Sequence, residues 1–129
     1  MSFLLDKFKV LIVDDVGSAR KTLSIILREM GIKNVTEARS SQEALDRLKG
    51  DTFQLIISDW EMPDIDGLEL LNKVKNIRNH KDVPFIMITS TSKRERVVEA
   101  LKAGVTDYAV KPISLEILSD KILRAFSDS

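Results

Sequence analysis

Leu55-Ile56-Ile57-Ser58-Asp59 is an apolar run that ends in a carboxylate. Three other stretches have the same form: Val10-Leu11-Ile12-Val13 before Asp14-Asp15, Phe85-Ile86-Met87-Ile88 before Thr89, and Tyr108-Ala109-Val110 before Lys111. Runs this continuous belong to strands covered on both faces, whereas a sheet with one wet face alternates apolar and polar residues. Helical patterns lie between them, and that alternation predicts an α/β fold with a parallel sheet. In an open parallel sheet the loops at the carboxyl ends of the strands converge on one crevice. Asp14, Asp15, Asp59, Thr89 and Lys111 are therefore expected to meet at one site.

The first helix is expected over Ser18 to Met30, with Leu23, Ile26, Leu27 and Met30 as its apolar stripe and Gly31 as its stop. A short strand near Val35 follows. Ser40-Ser41-Gln42-Glu43 reads as a capping box for a second helix carrying Ala44, Leu45 and Leu48 and stopping at Gly50. A loop over Trp60 to Gly67 leads into a third helix with Leu68, Leu71, Val74, Lys75 and Ile77, up to a polar turn at Arg78-Asn79-His80. Ser92-Lys93-Arg94-Glu95 is a second capping box, for a helix ending at Gly104, and Ser114 caps a last helix whose Leu115, Leu118, Ile122 and Phe126 face inward. Five strands and five helices with right-handed crossovers predict a doubly wound sandwich, strand order 2-1-3-4-5, of the flavodoxin-like kind.

With 129 residues the chain is expected to form a single domain over 1–129. Lys plus Arg (20) balance Asp plus Glu (20), so no net field directs it to nucleic acid or an anionic membrane, and neither is expected as a partner. Cysteine is absent, which excludes disulfides and thiolate metal sites. Phe3-Leu4-Leu5 is broken at once by Asp6 and Lys7 and reads as neither a signal peptide nor a membrane span; a soluble cytoplasmic protein is expected.

Carboxylates a few ångströms apart repel by roughly 4 kcal/mol at an effective dielectric near 20, so Asp14, Asp15 and Asp59 call for a counter-cation. Mg²⁺ suits an all-oxygen set that leaves room for phosphate oxygens. A carboxylate can attack phosphorus to form an acyl phosphate if a metal, an ammonium such as Lys111 and a hydroxyl such as Thr89 neutralise and hold the transferring group.

Val13-Asp14-Asp15, Asp59-Trp60-Glu61-Met62-Pro63-Asp64-Ile65-Asp66-Gly67, Ile88-Thr89-Ser90 and Tyr108-Ala109-Val110-Lys111-Pro112 together resemble response-regulator receiver domains, over nearly the whole chain. The likeness is greatest to stand-alone chemotaxis-type (CheY-like) members, since no stretch remains after the fifth helix for an output domain. Members of this family are standard examples of the 2-1-3-4-5 order, so the strand order and the resemblance are one argument.

The resemblance implies that Asp59 accepts a phosphoryl group from a sensor histidine kinase or a small acyl phosphate. It implies that Asp15, Asp59 and the backbone carbonyl of Glu61 ligate Mg²⁺, with Asp14 acting largely through water. Lys111 and Thr89 would hold phosphate oxygens, and Tyr108 would rotate inward as Thr89 moves, rearranging the face of helix 4, strand 5 and helix 5 for a downstream target such as a motor switch. A phosphatase is a further implied partner, a monomer or weak dimer the implied state, and a cis Lys111-Pro112 bond the implied geometry. Such a protein is a self-catalysed phosphoacceptor with slow autodephosphorylation, not a turnover enzyme. Other destinations are a phosphorelay shuttle, a phosphate sink, or the receiver of a longer regulator.

Some positions depart from the common pattern. Glu61 stands where a neutral residue is frequent, and its carboxylate is read as reaching the metal edge or screening the hydrolytic water, with an altered phosphate lifetime as the result. Ile113 replaces a usual Phe, and Thr91 occupies another variable position near the phosphate pocket.

Taken singly, the residues have plainer readings: Asp14 as a helix cap, Thr89 as a β-former, Lys111 as a surface lysine and Tyr108 as a half-buried strand aromatic. Asp64 and Asp66 read as turn-shaping residues, Trp60 as loop packing, His80 as solvated, and Lys93-Arg94-Glu95-Arg96 as a solvated face with docking as the alternative. The rival function is a haloacid-dehalogenase-like phosphatase. That class places a D-x-D pair after the first strand, where this chain has adjacent Asp14-Asp15. Neither G-x-G-x-x-G nor a Walker A sequence occurs, which argues against nucleotide binding.

Overall fold

The structure is a computed structural model, and it describes residues 7–90 and 93–127. Phe3, Leu4, Leu5, Asp6, Thr91 and Ser92, all named above, lie outside the described residues. Five strands, β1 (Lys9–Val13), β2 (Asn34–Ala38), β3 (Leu55–Asp59), β4 (Phe85–Thr89) and β5 (Asp107–Val110), form one parallel sheet in the order β2-β1-β3-β4-β5. Helices α1 (Gly17–Glu29), α2 (Ser41–Gly50), α3 (Gly67–Val74), α4 (Arg94–Ala103) and α5 (Leu115–Ala125) connect them.

Successive strand residues point to opposite faces, so the sheet feeds two cores. Val10, Ile12, Leu55, Ile57, Ile86 and Ile88 pack with Leu23, Ile26 and Leu27 of α1 and with Leu118 and Ile122 of α5. Leu11, Val13, Ile56, Phe85 and Met87 pack with α2, α3 and α4 through Leu48, Leu70, Leu71, Val74 and Ala100. Both faces are covered, which is why the central strands read as unbroken apolar runs.

Several helix ends follow the expected chemistry. Ser40 caps α2 by accepting from the Glu43 N–H, and Ser114 caps α5 by accepting from the Ile117 N–H. The α2 box differs in one bond, since the Glu43 carboxylate accepts from the Arg39 N–H at 2.9 Å. Gly31 and Gly104 take the left-handed conformation expected at helix stops. Gly50 does not; it is the last residue of α2, and Asp51 beyond it is extended.

Three expectations need correction. Helix α3 ends at Val74, short of Ile77, and buries Leu70 in addition to Leu71 and Val74 while Leu68 is only half-buried. Phe126 is exposed and meets Phe8 edge-on, with ring centroids 5.0 Å apart, instead of entering the core. His80 is buried, not solvated: the 3₁₀ turn Arg78–His80 folds under the start of β3, and His80 Nε2 accepts from the Phe53 N–H at 3.0 Å. A polar turn can bury a histidine in this way when the ring satisfies a backbone donor that has no strand partner. No described helix is long and apolar enough to cross a membrane.

Candidate phosphoacceptor site

The carboxyl ends of β1, β3, β4 and β5 bring Asp14, Asp59, Thr89 and Lys111 together. Asp59 closes β3 and is 6% exposed, because the strand is buried along its whole length. Asp14 is 1% exposed and has two partners: its Oδ1 accepts from the Val16 N–H at 2.9 Å, turning the chain into α1, and its Oδ2 accepts from Lys111 Nζ at 3.1 Å. Asp14 does not cap the helix: Val16 is the N-cap of α1 with no side-chain cap bond, and the Asp14 carboxylate instead braces the turn two residues ahead of it. Asp15 is exposed beside it.

Lys111 follows β5, is followed by a cis bond to Pro112, and reaches back across the strand ends to lie 3.5 Å from Asp59 Oδ1. Burial alone would lower its pKa, but the carboxylates of Asp14 and Asp59 outweigh that and hold it above the ordinary lysine value. The opposite balance applies at Asp59. Burial and the neighbouring Asp14 charge exceed the help from Lys111 and push its pKa up to about 6.

One carboxylate oxygen from each of Asp14, Asp15 and Asp59 lies within 4.8 Å of the other two. Asp59 Oδ1 is buried and makes no hydrogen bond among the described residues. A buried acceptor that makes no hydrogen bond and has one ammonium 3.5 Å away, in a cluster of three carboxylates, fits a hard divalent cation.

Glu61 follows Asp59 by two residues. Its carboxylate is not in the aspartate cluster; it turns to the end of β4, where Oε2 accepts from Thr89 Oγ1 at 2.5 Å and Oε1 accepts from both the N–H and the Oγ of Ser90 at 3.2 Å. Burial would raise its pKa, yet the bonds from Thr89 and Ser90 and the charge of Arg96 hold it below the usual value. Thr89 is itself fully buried. Tyr108 is half-buried on β5, level with Met87 of β4, and burial together with the Glu61 charge raises its pKa.

The loop after Asp59 is fixed from three sides. The Trp60 N–H donates to the Ile88 carbonyl at 3.1 Å, and the Gly67 N–H donates to the Trp60 carbonyl at 2.9 Å. A Cβ at Gly67 would overlap the Asp59 carbonyl oxygen and come within 2.9 Å of Trp60 Cα, so only glycine permits this approach. Asp64 adopts φ 67° in the same loop, and Asp66 caps α3 by accepting from the Glu69 N–H. The buried Trp60 ring carries the Arg96 guanidinium 4.6 Å above its centroid.

Two contributors escaped the sequence reading. Arg20 of α1 donates to the Asp14 carbonyl at 2.7 Å and pairs with Glu37 at 3.1 Å, bracing the acidic loop. Arg96 appeared only as part of a charged helix face. Neither carries a motif signal, since Glu37 and Trp60, the side chains they meet, lie well apart from them in the chain.

Residues 10–123 match the response regulator receiver domain family, and the chain belongs to that family. It is similar to the chemotaxis protein CheY of Pseudomonas aeruginosa, 37% identical over 92% of this chain and 95% of that protein. It is also similar to the chemotaxis protein CheY-3 of Vibrio cholerae, 38% identical over 98% of each. Among solved structures, chemotaxis protein CheY4 of Vibrio cholerae superposes with a TM-score of 0.87 at 34% identity, over 92% of this chain and 98% of that one. A CheY-like receiver domain from Methanospirillum hungatei gives 0.82 at 32% identity, over 91% of each. The chain is thus a two-component response regulator, a signalling protein by family.

Proposed function

We propose that Asp59 is the phosphoacceptor of this response regulator, and that its phosphorylation switches the face formed by α4, β5 and α5. The observation that carries the reading is the buried Asp59 Oδ1, unpartnered by hydrogen bonds and 3.5 Å from the Lys111 ammonium. A carboxylate oxygen of Asp59 attacks phosphorus; the bond from phosphorus to the donor's leaving oxygen, or to an imidazole nitrogen of a histidine kinase, breaks as the acyl phosphate forms. The donor leaves as a carboxylate, or as neutral imidazole from a phosphohistidine whose other ring nitrogen already carries a proton.

Asp15, Asp59 and the Glu61 backbone carbonyl would hold Mg²⁺, with Asp14 beside them. Bound there, the metal supplies positive charge against the phosphoryl oxygens. Lys111 adds a second cation, which the buried Asp14 carboxylate orients. Thr89 supplies a hydroxyl donor and Tyr108 responds to its movement. The switching face carries exposed Val98, Leu101, Val110 and Ile117, apolar groups suited to a protein target. The names of the relatives favour chemotaxis as the pathway; the switch works in the cytoplasm, and slow autodephosphorylation resets it.

The test is incubation of the full chain with acetyl phosphate, with and without Mg²⁺, followed by intact mass. One phosphoryl group per chain, dependent on metal and absent from Asp59→Asn, is expected. Equal incorporation by Asp59→Asn, or continuous turnover of phosphate monoesters, would overturn the reading.

A further inference from the structure

The donors at the end of β4 are already engaged by an anion. The Glu61 carboxylate takes the Thr89 hydroxyl with one oxygen and the Ser90 N–H and hydroxyl with the other. A carboxylate and a phosphoryl group seek the same donors, because both are anions whose oxygens accept charge-assisted hydrogen bonds. Glu61 is only two residues from Asp59, and its charge already contributes to the raised pKa there, so the two groups lie within electrostatic reach. A phosphoryl group on Asp59 would bring about two further negative charges into that reach. The two anions cannot both keep the Thr89 proton.

We propose that Glu61 is an internal occupant of the phosphoryl-binding donors: its carboxylate holds Thr89 and Ser90 in the resting chain and must be displaced before phosphorylated Asp59 can use them. Glu61 is thereby a positioning residue that opposes the active state. It sets how much phosphodonor is needed to switch the chain, a different role from meeting the metal or screening water. The inference rests on the phosphoacceptor reading of Asp59.

Its test is an equilibrium titration of the full chain with beryllofluoride, a stable tetrahedral analogue of the phosphoryl group, at saturating Mg²⁺, followed by Trp60 fluorescence. Wild type, Glu61→Ala, Thr89→Ala and the double variant form a cycle. Glu61→Ala is expected to reach half-saturation at about one-tenth of the wild-type concentration, the order of one charge-assisted hydrogen bond no longer in competition. In the Thr89→Ala background the same substitution is expected to gain about threefold or less, because the contested donor is gone. Glu61→Gln, which keeps a neutral acceptor, is expected to fall between wild type and Glu61→Ala. An equal gain in both backgrounds would show plain charge repulsion and overturn the proposal, as would no gain at all. Acetyl phosphate incorporation, measured by intact mass on the same four proteins, separates the two levels of failure. If none acquires a phosphoryl group the phosphoacceptor reading falls and this inference with it; if all incorporate while Glu61→Ala leaves the titration unmoved, only the inference falls.

Discussion

Thr89, the last residue of β4, donates its hydroxyl proton to Glu61 across 2.5 Å, joining the end of β4 to the loop after β3 through two residues 28 positions apart in the chain. Asp59 and Lys111 make the complementary link at 3.5 Å. The site is thus spanned by polar ties over the aspartate cluster and over the β4 end.

Lys111 shares the carboxylates of Asp14 and Asp59 with any bound cation. Lys111→Met is therefore expected to strengthen Mg²⁺ binding several-fold while slowing phosphoryl transfer by about 100-fold, since one electrostatic stabiliser of the reacting group is lost. Metal titration and mass-resolved incorporation rates check the two directions separately. Weaker metal binding in the variant would contradict this account of the pair.

Asp59 sets a pH dependence in the metal-free protein. Its pKa rises from the ordinary 3.8 to about 6 on folding, so its contribution to stability is full below pH 4 and declines as pH rises through 6. Asp59→Asn is expected to be more stable than wild type in EDTA above pH 6, by about 1–3 kcal/mol, and to lose that advantage near pH 4. Thermal melts over this range, repeated with Mg²⁺, measure it; the metal is expected to narrow the difference.

His80 acts with the opposite sign at the far end of the sheet. Burial lowers its pKa against a smaller opposing effect of Asp51, so the neutral ring is the folded form. Its contribution is present above pH 6.5 and is lost as pH falls toward the depressed folded value. His80→Gln, which retains an acceptor for the Phe53 N–H, is expected to flatten the wild-type fall in melting temperature between pH 7 and 5. His80→Leu is expected to cost about 1–3 kcal/mol at neutral pH by stranding that donor.

Gly67→Ala presses a methyl group against the Asp59 carbonyl oxygen. The expected results are a loss of about 1–3 kcal/mol in stability and slower phosphorylation at saturating donor, as the overpacked loop moves the acceptor. Denaturant unfolding and incorporation kinetics on one preparation read both effects.

The fold was legible because its signals are local. Strand ends that pass from apolar runs to Asp14, Asp59, Thr89 and Lys111 need no knowledge of distant partners. The limits appear where a residue's surroundings come from elsewhere in the chain. His80 looks solvated among Arg78, Asn79 and Lys81, yet the turn slides beneath β3 because Phe53 offers an unpaired N–H. Glu61 reads as a neighbour of the aspartate cluster because it follows Asp59 so closely, but Thr89 and Ser90 present three donors in another direction. Arg20 and Arg96 carry no motif, and only tertiary packing shows what each touches.

The stacking of Arg96 on Trp60 gives the lone indole a particular meaning as a probe. Arg96 belongs to α4, so the fluorophore senses how that helix is seated as well as what happens at the adjacent carboxylate. Mass spectrometry would time the bond-making event and emission the helix response. A lag between the two clocks would be the dwell time of a modified but still quiescent regulator.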